Sequence, residues 1–348
     1  MISLAQKAQE GTKWTYLSGR IKALEKELIS RNQYQTLILA KDPKELLRFL
    51  SDSAYKSAFR QEEDLFDYER ILNTQLAAKF SWIRKYSPQP LVADYFKVRG
   101  DIQHLKSRIK SYLSKLPQQE AEEPSELELE KEHRDSLCSE QGEIIQEYLE
   151  AYRQIIQAWR EKKSLQVVDF EADRKMLAIV YKMAEASSND LIRRYTQAFL
   201  ELKNLAALWR LKALGAPASL ISEVLFIPPQ SAALTLEVIN KLYEAPANIW
   251  PAMLSEFGYQ DIFLEEEATA PHRKGAVSAS VSGLEKRSDD FLMDILRRAK
   301  YIPFGIEVAF AYMAAFWIEI LNLKIIIIAK LNHLTEDVIR AKVRQGYV

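Results

Sequence analysis

The stretch from Phe310 to Val343 constrains this chain more than any other. It is the most apolar part of the sequence, yet Glu319 and Asn322 stand in its middle. A helix places residues three apart on one face, so these two polar groups can hydrogen-bond each other. On that pairing Asn322→Leu costs little wherever Glu319 finds another partner, whereas Asn322→Asp buries like charges. A helix that is apolar nearly all round belongs in a protein core or a membrane. The longest uncharged run, Val308 to Ile318, falls short of the roughly 20 residues that a span requires. The expectation is therefore a buried helix of a soluble protein. Ile325 to Ile328 are β-formers and offer a buried strand as the rival. The apolar stretch is long and no turn residue interrupts it, which favours helix.

A length of 348 residues allows two or three domains and a substantial core. Only 10 Gly and 12 Pro punctuate it, as expected of an all-α protein. Glycine scarcity also bears on chemistry. Neither G-x-x-x-x-G-K-[ST] nor G-x-G-x-x-G occurs, so direct nucleotide binding by either route is not expected. Forty-eight basic and 48 acidic residues cancel, without the basic excess of a nucleic-acid binder. One cysteine, Cys138, leaves no intramolecular disulfide and fits a reducing compartment. The first residues lack a signal peptide's apolar core.

Apolar spacing predicts an amphipathic helix over 14–30, with Tyr16, Ile21, Leu24 and Leu28 on one face, broken at Arg31-Asn32. A short helix follows from Tyr34. Asp42-Pro43 starts a third, capped by Asp42. A longer helix runs from Glu62 to Lys85, Ser87-Pro-Gln-Pro90 breaks it, and 91–116 form another. Residues 117–132 are acidic and polar and read as a solvated linker. Helices are expected at 133–163, 170–187 and 191–214, the last capped by Asn189 or Asp190 and closed by Gly215. Two or three short helices fill 217–260. The stretch 266–288 is rich in small residues and is expected to be a mobile surface loop. Helix returns at 289–300, before Pro303 and Gly305.

Three mid-helix stretches share one pattern: an acid, two residues, an amide or imidazole, then leucine. They are Asp101–His104, Glu201–Asn204 and Glu319–Asn322, the last followed by Lys324. Each leads into a basic, apolar run. Intervals of roughly 100 and 118 residues suggest three similar lobes that need one another for burial: 1–116, 117–230 (with the acidic linker) and 231–348 (with the loop 266–288).

The ending WIEILNLKIIIIAKLNHLTEDVIRAKV resembles the closing segment of the C subunit of bacterial and archaeal V/A-type ATPases, the counterpart of the eukaryotic V-ATPase d subunit. Lys330, Leu331, Asn332, Ile339, Tyr347 and Val348 fit that family's ending, while Ala329 stands where Gly is frequent. Tyr16, Arg20, Leu24, Leu28, Leu46, Leu50 and Tyr55 look like its opening, with Ser53 in place of Thr. Asp173 and the Glu201–Gly215 helix match its middle, with Ala206 in place of a lysine. The resemblance implies three helical lobes around a pseudo-threefold axis, forming a funnel. It implies a non-catalytic central-rotor subunit without cofactors, cytoplasmic and peripheral on the membrane face. That subunit is a socket joining the central shaft to the membrane proteolipid ring, and it transmits torque between ATP hydrolysis or synthesis and ion (for example proton) translocation.

Other readings of single residues compete with this one. Glu201/Asn204 and Glu319/Asn322 could line an ion path or an active site; as core groups they satisfy one another or a neighbouring lobe's backbone. Ser288-Asp289-Asp290 with Asp294 resembles the aspartate-rich motif of all-helical, magnesium-dependent prenyl-transferring enzymes, with Asp290 and Asp294 as ligands. N-capping by Ser288 or Asp289 explains the same cluster. His104, His133, His272 and His333 lack zinc spacing. Exposed charges on the short helices of 217–260 are expected to meet the shaft or the ring.

Overall fold

The computed structural model describes residues 13–115, 145–228, 234–264 and 281–348. The acidic segment 117–132 and most of the loop 266–288 lie outside these residues. Among the described residues every regular element is helical.

In chain order the helices are α1 (Thr15–Leu24), α2 (Arg31–Leu39), α3 (Pro43–Ser51), α4 (Tyr68–Tyr86) and α5 (Leu91–Leu113). They continue with α6 (Gln146–Lys162), α7 (Leu165–Ser187), α8 (Asp190–Ala213), α9 (Ile221–Val224) and α10 (Leu236–Glu244). The last are α11 (Trp250–Met253), α12 (Val281–Leu296), α13 (Ile306–Leu331) and α14 (Glu336–Arg340). The chain folds as two compact units, the first from 1–93, 189–199 and 245–348, the second from 94–188 and 200–244.

In the first unit α13 is the axis. No Gly or Pro interrupts Ile306 to Leu331, and Gly305 (φ +149°) supplies the turn into it. Leu334 N–H donates to Ala329 O (2.9 Å) and closes its last turn, with His333 at φ +53°. Helices α1, α3, α4, α12 and α14 cover it, and Phe310, Tyr312, Met313 and Leu323 are almost fully buried. Each such side chain stabilises the fold by roughly 1.5–3 kcal/mol. α13 is long and apolar enough to cross a membrane, with mean hydropathy 1.8, but 67% of that window is buried by its own chain. Ile325–Ile328 are helical, because the burial of Ile326 and Ile327 within this long helix outweighs β-propensity. α4 runs antiparallel to α13: Phe80 meets Trp317 at 6.3 Å between ring centroids, and Lys324 Nζ reaches Asn73 Oδ1 at 2.8 Å.

Local chemistry sets the other boundaries. Ser30 and Gln33 form a capping box for α2, so the break falls at 28–30 and Arg31 begins the helix. Asp42 caps α3, with Pro43 in its first turn. The expected start of α4 at Glu62 is instead a separate 3-10 turn, Glu62–Leu65, whose Asp64 carboxylate accepts the Arg60 and Gln61 N–H groups. Residues 281–288, expected in a loop, open α12: the small residues are compatible with helix, and Leu284, Ser288 and Asp290 turn inward.

In the second unit α6 and α7 form a hairpin, turned at Lys163 in the left-handed region. Lys106 and Lys110 on α5 pair with Asp169 and Asp173 on α7. α8 ends where Gly215 takes φ +62° and Ala216 N–H donates to Leu211 O at 3.0 Å.

Candidate functional site

The polar groups of the repeated pattern sit on α5, α8 and α13. Glu319 is 4% exposed. Its Oε2 accepts the Ile29 N–H at 2.5 Å and its Oε1 accepts the Tyr55 hydroxyl at 2.8 Å. Burial pushes its carboxyl up to about 7, against the two hydrogen bonds and Lys79, which favour the anion. Burial and the adjacent Glu319 likewise raise the Tyr34, Tyr55 and Tyr312 phenols.

Asn322, fully buried, does not pair with Glu319. Its Nδ2 donates to Arg344 O (2.9 Å) and its Oδ1 accepts Arg344 N–H (2.8 Å). The carboxylate finds donors after α3 and in the α1–α2 connection, and the amide clamps the closing segment; both choices satisfy backbone groups that would otherwise be buried unpaired. Asn204 makes the same clamp, Nδ2 to Phe226 O (2.7 Å) and Phe226 N–H to Oδ1 (3.2 Å). In each case the clamped residue follows by 22 positions. One offset of 118 residues relates Glu201 to Glu319, Asn204 to Asn322, Gly215 to His333 and Phe226 to Arg344. Both Gly215 and His333 hold positive φ, so the helix ends correspond as well as the clamps.

The third set is different. Asp101 Oδ2 accepts from Tyr148 Oη (2.9 Å) and Lys97 Nζ (2.8 Å), which parallels the Glu319–Tyr55 bond. His104 is exposed, and the residue 22 positions after it lies outside the described residues. Glu201 is buried, at 4% exposure.

Asp290 and Asp294 do not face one opening. Asp290 pairs with Lys286 (3.0 Å) and accepts Gln345 N–H (2.6 Å), whereas Asp294 is exposed beside Arg297 (2.6 Å). Ser288 and Asp289 are not helix caps either. They lie inside α12, where Ser288 Oγ donates to Leu284 O and Asp289 pairs with Arg344 at 3.1 Å. The closing segment 344–348 draws this acidic cluster inward. Among the described residues no group of three or more His, Cys, Asp or Glu stands at metal-holding distance.

Sequence reasoning does not reach Arg344, and it gives Tyr55, Asp289 and Asp290 other roles than the contacts seen here. Once the structure shows the clamp at Phe226, the 118-residue offset carries it onto Arg344. These groups bond to backbone or to one another, so the arrangement holds chain segments together.

The family model described as ATP synthase (C/AC39) subunit matches residues 17–342. Similar curated proteins include the V-type sodium ATPase C subunit of Enterococcus hirae, 20% identical over 95% of this chain and 98% of that protein. The A-type ATP synthase C subunit of Methanocaldococcus jannaschii is 23% identical over 94% of this chain and 85% of its own length. That of Methanococcoides burtonii is 21% identical over 97% and 96%.

Proposed function

Because the chain belongs to the ATP synthase (C/AC39) subunit family, we propose that it is a non-catalytic central-rotor subunit of a rotary V/A-type ATPase. It acts as a socket between the central shaft and the membrane proteolipid ring, peripheral on the cytoplasmic face, and transmits torque between ATP turnover and ion translocation. The observation that carries this reading is the near end-to-end family match, supported by relatives of about the same length that are named as C subunits.

The chain's physics is compatible with the role. Torque transmission requires stiffness, and close-packed helices with few glycines resist deformation. Two amide clamps each pin the segment after a long helix back onto that helix. As part of the proposal, the recurring set at Asp101/His104, Glu201/Asn204 and Glu319/Asn322/Lys324 marks three lobes, 1–116, 117–230 and 231–348, around a pseudo-threefold axis. Exposed charges on the short helices of 217–260 meet a partner subunit.

A tagged pull-down from gently solubilised membranes tests the assignment. Co-elution of a central-shaft subunit with a very hydrophobic proteolipid is the expected result. Recovery of the chain alone, from membranes whose rotary ATPase is intact, overturns it.

A further inference from the structure

One end of the first unit gathers exposed rings and cations. The antiparallel packing of α4 on α13 brings the last turn of α4 beside the start of α13. Ser18 Oγ accepts Gly305 N–H (3.2 Å) and Lys22 Nζ reaches Lys300 O (3.4 Å), fastening α1 to the 300–305 connection at this same end. On one flank the exposed Arg20 guanidinium lies 5.7, 5.1 and 5.2 Å from the ring centroids of Tyr16, Trp82 and Tyr86. On the other, Arg298 and Lys300 flank Tyr301, which is 90% exposed, and Phe304, which is 41% exposed. Lys79, Arg84 and Lys85 add positive charge from α4; Lys79 packs over Trp82, Tyr312 and Phe316.

A single exposed ring is ordinary on a protein surface, but several exposed rings gathered at one end mark a contact surface. Tyr and Trp beside Arg and Lys is the composition that settles at a bilayer's headgroup level, where rings enter the boundary and cations meet phosphates. The rings and cations here top the end of a helix bundle, with Tyr301 projecting. A broad surface fits that arrangement better than one peptide segment does. We infer that this end of the first unit docks on a bilayer surface bearing anionic phospholipid headgroups, with Tyr301 and Phe304 as insertion anchors and Arg20, Arg298 and Lys300 as phosphate partners. The inference goes beyond the subunit assignment and stands on these residues alone.

Co-sedimentation of the full chain with vesicles tests it without any other ATPase subunit, so its outcome is separable from that of the pull-down. The chain should sediment with mixed phosphatidylglycerol–phosphatidylcholine vesicles at low salt, hardly with phosphatidylcholine alone, and less as salt rises. Each cation near an anionic surface contributes roughly a fivefold gain, so R20Q/R298Q/K300Q should lower the partition coefficient roughly 100-fold. Y301S/F304S should weaken binding at every salt concentration. These positions are exposed, and unchanged melting temperatures would confirm that both variants fold. Equal binding to the two vesicle types, or undiminished binding of both variants, overturns the inference. So does an absence of binding to either vesicle, the result expected if an acidic protein surface is the occupant.

Discussion

Tyr55 donates its hydroxyl hydrogen to Glu319 across 264 residues of chain, at 2.8 Å and wholly out of water. The other oxygen of the same carboxylate accepts Ile29 N–H. One buried side chain on α13 thereby fixes the connection after α1 and the residues after α3. The opening of the chain is stitched to its close through a group that is costly to bury unless each oxygen is satisfied.

Tyr55→Phe keeps the ring and removes one donor. A buried acceptor left without its partner costs about 1–3 kcal/mol. Denaturant unfolding should show that loss with an unchanged m-value. Parent-like stability would mean that water reaches Glu319.

Asn322→Leu orphans both the N–H and the C=O of Arg344, not a bond to Glu319, so the substitution is not the mild one expected from the sequence. Asn204→Leu does the same to Phe226. Two orphaned backbone groups at about 1–3 kcal/mol each place each variant roughly 2–6 kcal/mol below the parent in thermal or denaturant unfolding. Asn322→Asp retains the acceptor for Arg344 N–H, loses the donor to Arg344 O and puts a second carboxylate one turn from Glu319. It should be the worse of the two changes at position 322.

The core was legible in the sequence where local chemistry decides. The Asp42 cap with Pro43, the closure of α8 at Gly215 and the burial of α13 follow from residue type and spacing. What a buried polar group bonds to was not legible. Asn322 had an acid three residues away and a backbone amide 22 residues away, and only the packed fold shows that the distant group wins. The start of α12 was hidden for a related reason. Its small and charged residues carry little periodicity, and Asp289 and Asp290 look like a cap or a metal motif until the closing segment is seen against them.

That closing segment should be essential. Arg344 and Gln345 are held by Asn322, Asp289 and Asp290, and Arg297 donates to Gly346 O at 2.7 Å. Removing residues 344–348 leaves Asn322 and Asp290 without these partners and uncovers the Tyr34 ring, against which Gly346 packs. The truncated chain should melt below Asn322→Leu, because it loses the clamp and the ion pairs together. A melting temperature equal to that of Asn322→Leu would reduce the segment's role to the one clamp.

Glu319 also makes stability depend on pH, with a sign opposite to that of most carboxylates. Its folded value is raised to about 7 from an ordinary 4.5, so between these values the folded state binds more protons than the unfolded one. Its contribution is greatest below the unfolded value and is lost as pH rises towards 7. A separation of that size corresponds to about 3 kcal/mol. The phenolic neighbours that act on it, Tyr34, Tyr55 and Tyr312, are raised above their ordinary value and change charge well above this window. Glu319→Gln cannot titrate, so unfolding free energies of parent and variant, compared from pH 4.5 to 8, isolate the effect. The parent should lose stability relative to Glu319→Gln up to about pH 7 and then run parallel to it. Parallel curves throughout would mean that the carboxylate ionises in the fold as it does in water.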